Sequence, residues 1–186
     1  GALNAAVAVA RSRLGGPIDL SVVNAGAMLA APFERADTAE WRRMVDVNLV
    51  GLLATARATV DDLLTVAANG GAADLVLVSS IGAHIVIPGY AVYTATKAAV
   101  THLGDGLRAE LGPRGVRVHV VEPGMTESDL GQDMADPEAR AFLEEFKQQI
   151  PPIPAESIAA GVVWSAALPP AVNVAGLVIQ PTVQPQ

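Results

Sequence analysis

Three side chains within Ser79–Lys97, SSIGAHIVIPGYAVYTATK, have the types and spacing to move a proton together. Tyr93 and Lys97 stand four residues apart, so on a helix they share one face. A phenol ordinarily titrates at about pH 10. An ammonium roughly 4 Å away favours the phenolate by about 4 kcal/mol before desolvation losses, at an effective dielectric of about 20. This predicts a Tyr93 depressed towards neutral pH, where general acid–base catalysis is most effective. Ser80 ends an apolar run ahead of them and can donate a hydrogen bond to a carbonyl oxygen. The set fits proton transfer to a carbonyl or from an alcohol. The other half of that chemistry is a hydride, which no side chain supplies, so a nicotinamide cofactor is implied. A Tyr-x-x-x-Lys pair alone is commonly just a surface pair, and the elements around it decide whether it is more.

Those elements alternate. Residues 2–14 read as a helix stopped by Gly15, Gly16 and Pro17. DLSVVNAG (19–26) is a buried strand ending in turn residues. Residues 38–69 read as one long helix, with Asp37 and Glu40 as a capping pair. ADLVLVSS (73–80) is a second strand, 90–112 a second long helix, and VRVHVVEPG (116–124) a third strand. Residues 125–154 form an excursion with a short helix at 137–149 and Phe142, Phe146, Ile150 and Ile153 as its apolar residues. A helix at 157–168 and a strand at 176–182 close the pattern. Alternation of this kind predicts one domain over 1–186 in the α/β class, with a doubly wound parallel sheet. Ligands on such sheets bind at the carboxyl ends of the strands. The three strand ends NAG, SS and EPG therefore nominate one rim.

The chain is 51% hydrophobic but only 4% aromatic, so Ala, Val, Leu and Ile must build the core. A net charge of −7 offers no basic face for nucleic acid. With no cysteine, disulfides and thiolate chemistry are excluded. His84, His102 and His119 are scattered and make no metal site. A serine-hydrolase elbow needs a glycine two residues before the serine, and VSSIG lacks it. No apolar run approaches a membrane span and no signal-like segment opens the sequence, so a cytoplasmic protein is expected. His84, Met28, Ile87, Tyr90 and Met125 are candidates to shape a substrate pocket. Glu122 reads as structural, and Arg42 and Arg43 as a solvated helix face.

In these motifs the sequence resembles the short-chain dehydrogenase/reductases. Ser80, Tyr93 and Lys97 match that family's catalytic pattern and spacing. Asn24-Ala25-Gly26 matches its N-A-G turn, Asn48 in VDVNLVG its helical Asn, and Pro123-Gly124 its P-G turn, with Ser128 at the hydroxyl position beyond. The resemblance implies a Rossmann-like fold and roles for individual residues. Tyr93 would be the acid/base, and Lys97 would lower its pKa and hold the nicotinamide ribose. Ser80 would fix the substrate oxygen, and Asn48 would hold a water through its backbone in a proton relay. Asn24, Ala25, Gly26, Pro123, Gly124, Thr126 and Ser128 would line the cofactor. Ser80, His84, Tyr90 and Met125 would meet a small carbonyl or alcohol substrate. The tail GLVIQPTVQPQ with EPGMTESDL looks closest to a branch containing clavulanic acid and 3-hydroxy acid dehydrogenases, which points to NADP, with NAD as the alternative.

The family's T-G-x-x-x-G-x-G loop has no counterpart here. The expectation is an N-terminally incomplete Rossmann domain whose first strand would be an exposed edge, inactive when isolated. Helices 38–69 and 90–112 are those that similar proteins pack into a homodimer or homotetramer interface. The competing expectation is a non-catalytic oligomerising or sensor protein that keeps the scaffold, or an inactive fragment.

Overall fold

The structure, a computed structural model, describes residues 1–185. Four strands form one sheet in the order β1-β2-β3-β4, every pair parallel. They span Leu20–Val23 (β1), Asp74–Val78 (β2), Arg117–Pro123 (β3) and Gly176–Ile179 (β4). The helices are Ala2–Leu14 (α1), Thr38–Val45 (α2), Leu52–Ala68 (α3), Ala91–Leu111 (α4), Pro137–Gln149 (α5) and Ala155–Ala166 (α6). Sequential strands lying side by side in one direction, each linked through a helix, make the doubly wound α/β architecture expected from the alternation.

The register sorts the side chains into two faces. Val23, Leu75, Leu77 and Val118 point to one side, where α3 and α4 cover them with Leu52, Leu63, Val100 and Leu111. α4 comes very close at Gly104, where a Cβ would collide with Val120 Cγ2. Leu177 and Ile179 point to the opposite side and meet α6 around Gly161. β1 pairs with β2 alone, and Leu20 and Val22 lie exposed on the α6 side of this edge strand.

The strands are shorter than the apolar runs suggest. Pairing stops at Val23 and Val78, so Asn24–Gly26 and Ser79–Ser80 lie beyond the ladder as loop. The expected helix over 38–69 is divided. A π-helical turn, Asp46–Gly51, separates α2 from α3 and contains Asn48. Such single-turn widenings concentrate at functional sites. Asp37 caps α2 by accepting from Ala39 N at 2.8 Å, but Glu40 does not complete the expected pair and accepts instead from Ala135 N at 3.1 Å.

The amino end of the sheet, away from NAG, SS and EPG, is fastened by a buried ionic cluster. Arg117 donates to Asp74 Oδ2 at 2.7 Å and to the carbonyls of Ala166 (2.8 Å) and Leu168 (2.7 Å) at the end of α6. His119 spans Asp74 Oδ1 at 2.7 Å and Val174 O at 3.0 Å. Burial alone would raise Asp74, but hydrogen bonds from His119 and Arg117 outweigh it and hold the carboxyl below its usual range. Its contribution is therefore complete above the ordinary carboxylate range and is lost as pH falls through the depressed value. Asp74→Ala leaves Arg117 buried without its counter-charge and should cost about 3–5 kcal/mol. Urea denaturation at neutral pH measures that loss.

Candidate active site

The three loops past β1, β2 and β3 open onto a cleft of about 1020 Å³. Its floor is Asn24–Ala27, Val78–Ser80, Pro123 and Gly124. Tyr93 and Lys97 enter from α4, residues 126–133 overhang it, and α6 forms the far wall through Ile158, Val162 and Val163. Sites far apart in sequence are brought together here because parallel strands all end on one rim.

Ser80 and Tyr93 converge on the short turn Ile81–Ala83. A Cβ placed on Gly82 would lie 3.3 Å from Ser80 Oγ and 3.5 Å from Tyr93 Cε1. Ser80 Oγ accepts from Gly82 N at 3.0 Å, which occupies a lone pair and leaves its own proton free to donate. Lys97 Nζ lies 5.9 Å from the centre of the Tyr93 ring and donates to Val78 O at 3.0 Å. Tyr93 is 6% exposed and Lys97 5%.

That burial changes the electrostatics expected from spacing alone. Desolvation pushes Tyr93 above its ordinary value of 10, and the nearby Ser80 hydroxyl offsets this only in part. Burial pushes the Lys97 ammonium down to about 8. The ammonium faces the ring rather than the phenol oxygen, and both groups have lost water, so the expected depression of Tyr93 is absent from this structure.

Asn48 acts as a brace. Its side chain is 1% exposed. Oδ1 accepts from Ala27 N at 2.8 Å, and Nδ2 donates to Ala27 O and Thr96 Oγ1, both at 2.9 Å. Thr96 Oγ1 in turn donates to Tyr93 O at 2.7 Å. The NAG loop is thus tied to the turn of α4 that carries Tyr93. A Cβ on Gly26 would stand 3.6 Å from both Asn48 Oδ1 and Lys97 Nζ, so the absent methyl leaves the cleft open over the lysine. Gly124 is required for another reason: a Cβ there would strike Gln184 and Gln180 of the tail.

Other expected residues lie at the margins. Thr126 donates to Gly124 O at 3.0 Å and lines the cleft, and Ser128, exposed, lines it further out. Met125 N donates to Gln184 Oε1 at 2.9 Å. Tyr90 is buried beside Tyr93 in one apolar cluster. His84 is half-exposed, with Nε2 2.8 Å from Glu122 Oε1. Sequence reading missed the support behind this contact. Thr101 donates to Glu122 Oε1 at 2.8 Å, and Ser79 Oγ lies 2.8 Å from Thr101 Oγ1 and donates to Lys97 O at 2.8 Å. The available signal was strand parity, which sends Glu122 to the α4 side of the sheet. Arg43 is exposed, as a solvated helix face requires, and pairs across the surface with Asp133 of the overhang at 2.5 Å. Arg35 pairs with Asp136 and Glu138 nearby.

The family model for short chain dehydrogenases matches residues 1–139. The chain belongs to this family. The 3beta-hydroxysteroid dehydrogenase 1 of Eggerthella lenta is 36% identical over 152 residues, 81% of this chain and 57% of that protein. The serine 3-dehydrogenase of Agrobacterium fabrum is 35% identical over 168 residues, 90% of this chain and 65% of that one. Among solved structures, the closed form of a serine dehydrogenase complexed with NADP+ superimposes with a TM-score of 0.83 at 27% identity, covering 98% of this chain and 74% of that one. This short-chain dehydrogenase chain thus spans less than two thirds of the length of these curated relatives. No described helix is long and apolar enough to cross a membrane.

Because burial depresses Lys97, the unfolded chain holds that proton to higher pH than the folded one. Stability should therefore rise with pH between about 8 and 10, by on the order of 2–3 kcal/mol. Lys97→Met should flatten that rise in urea denaturation series at stepped pH.

Proposed function

We propose that the protein is an oxidoreductase interconverting an alcohol and a ketone or aldehyde with a nicotinamide cofactor, with Tyr93 as acid/base. The observation that carries this is that Ser80, Tyr93, Lys97 and Gly26 line one cleft, with Ser80 Oγ and the Tyr93 ring edge both packed against Gly82. NADP is the favoured cofactor. The NADP+ complex of the similar serine dehydrogenase and a 36% identical relative named as a probable NADP-dependent dehydrogenase support it. The open space over Lys97 suits the ribose and nicotinamide end of such a molecule, with Asn24–Gly26, Lys97, Pro123, Gly124, Thr126 and Ser128 as the residues that would hold it. When bound, it supplies a hydride to the carbonyl carbon.

The chain's own residues do the rest. Ser80 donates its free proton to the substrate oxygen and fixes it beside Tyr93. As negative charge grows on that oxygen, Tyr93 passes its proton across. A phenol held above its ordinary value keeps its proton at neutral pH, the form that donation requires. Lys97, brought to about 8, moves between ammonium and amine near working pH. It can return a proton towards Tyr93 through a path that Asn48 organises.

Self-association through α2–α3 and α4 belongs to this reading. Val50 and Leu53 lie exposed on the first of these segments. Leu53→Glu should shift the species seen by light scattering towards monomer.

A non-catalytic scaffold is the competing reading. Ketone-dependent NADPH oxidation by the full gene product separates the two. Tyr93→Phe should lower the rate by about 10²–10⁴-fold. Equal rates for the two proteins would remove the acid/base role.

A further inference from the structure

Threonine hydroxyls in helices commonly turn back and donate to a carbonyl three or four residues earlier. Here Thr55 donates to Gly51 O, Thr59 to Thr55 O, Thr65 to Asp61 O, Thr94 to Ala91 O and Thr96 to Tyr93 O. Thr101 breaks the habit. Its hydroxyl leaves α4 and donates to Glu122 Oε1 on β3 at 2.8 Å. The carbonyl it passes over, four residues back, belongs to Lys97. Ser79, just past β2, takes that carbonyl instead, donating from Oγ at 2.8 Å. The Ser79 and Thr101 hydroxyl oxygens lie 2.8 Å apart, close enough to compete for one acceptor.

What draws Thr101 away is a buried carboxylate. Val118 and Val120 face α4 from β3, and Glu122 is the next residue on that side. A carboxylate in such a place is costly unless hydrogen bonds hold it. Thr101 from α4 and His84 from the turn after Ser80 both meet its Oε1 at 2.8 Å. Val178 of β4 stands beside it in the ladder. Among the described residues His84 is the one titratable group within salt-bridge reach of it.

Lys97 is thus gripped twice by consecutive residues of one strand end. Ser79 Oγ holds its carbonyl, and Val78 O lies under its ammonium at 3.0 Å. The residue after these is Ser80. The Tyr93 ring, Gly26 and the Asn48 amide face the ammonium, and no carboxylate among the described residues pairs with it. Lost water alone brings it down to about 8, so a loosened grip that readmits water must raise it.

We infer that Glu122 is a positioning residue: by taking the Thr101 proton it reserves the Lys97 carbonyl for Ser79, and so clamps the end of β2 onto the turn of α4 that carries Lys97. The value of this clamp to turnover rests on the oxidoreductase reading, but its test does not. In the full gene product, labelled with ¹³C-lysine and free of cofactor, the Cε signal that Lys97→Met removes is followed as pH is stepped. The unaltered protein should titrate at about 8. Glu122→Leu returns Thr101 to the Lys97 carbonyl and displaces Ser79, so the midpoint should climb by about 0.7 of a pH unit, the worth of one net hydrogen bond. Glu122→Gln keeps an oxygen for Thr101 and should leave the midpoint in place. Adding Thr101→Val to Glu122→Leu removes the competing donor and should bring the midpoint back. Ser79→Ala should reproduce the climb. Asp74→Asn, which loosens the opposite end of the sheet, should not.

A midpoint at the ordinary lysine value in the unaltered protein would overturn the inference. So would equal midpoints in Glu122→Gln and Glu122→Leu, or a double variant that stays displaced. Should Glu122→Leu fail to fold, Ser79→Ala still decides: an unmoved midpoint, or one that Asp74→Asn matches, removes the clamp. The expected midpoints alongside unchanged turnover in Tyr93→Phe would sink the oxidoreductase reading alone. Unmoved midpoints alongside a Tyr93-dependent rate would sink this inference alone.

Discussion

An ammonium with its water removed constrains everything at the carboxyl end of this sheet. Lys97 sits beneath the cleft with the Val78 carbonyl as its hydrogen-bond acceptor and the face of Tyr93 nearby. A charge so placed is tolerated only where dipoles are fixed around it. The end of β2 supplies the carbonyl, and Ser79 holds the same turn of α4 through the Lys97 backbone oxygen. Asn48 and Thr96 lock the NAG loop to that turn. Ser80 can then point away from the ladder and into the cleft. The geometry of the site follows from accommodating one awkward side chain.

The two ends of the sheet divide the work. The amino end is closed by Asp74, Arg117 and His119, which tie α6 and the approach to β4 onto the strands. The carboxyl end carries the loops of the rim and the buried Lys97 ammonium, which has no counter-charge beside it. Firm fastening where nothing reacts lets the other end keep groups in states that cost stability.

Much of this was legible in the sequence, for identifiable reasons. Apolar runs ending in NAG, SS and EPG announced strands and their loops, since turn residues stop a ladder. The four-residue step from Tyr93 to Lys97 is set by helical pitch. Other features needed coordinates. The direction of the Tyr93 shift depends on burial by segments distant in sequence, so spacing alone misjudged it. The π turn at Asn48 leaves no mark in composition. The Asp74–Arg117–His119 cluster joins Asp74 to partners more than 40 positions away, a pairing that no spacing rule announces.

The tail does more than end a strand. Gln184 accepts from Met125 N, Gln180 donates to the Gln184 backbone, and both side chains fill the space a larger residue at 124 would need. The third loop of the rim therefore leans on the last few described residues. Weight hung on that extremity, such as a fused affinity handle, would press directly against the floor of the cleft, whereas the same handle on α1 would pull on a helix that touches none of it.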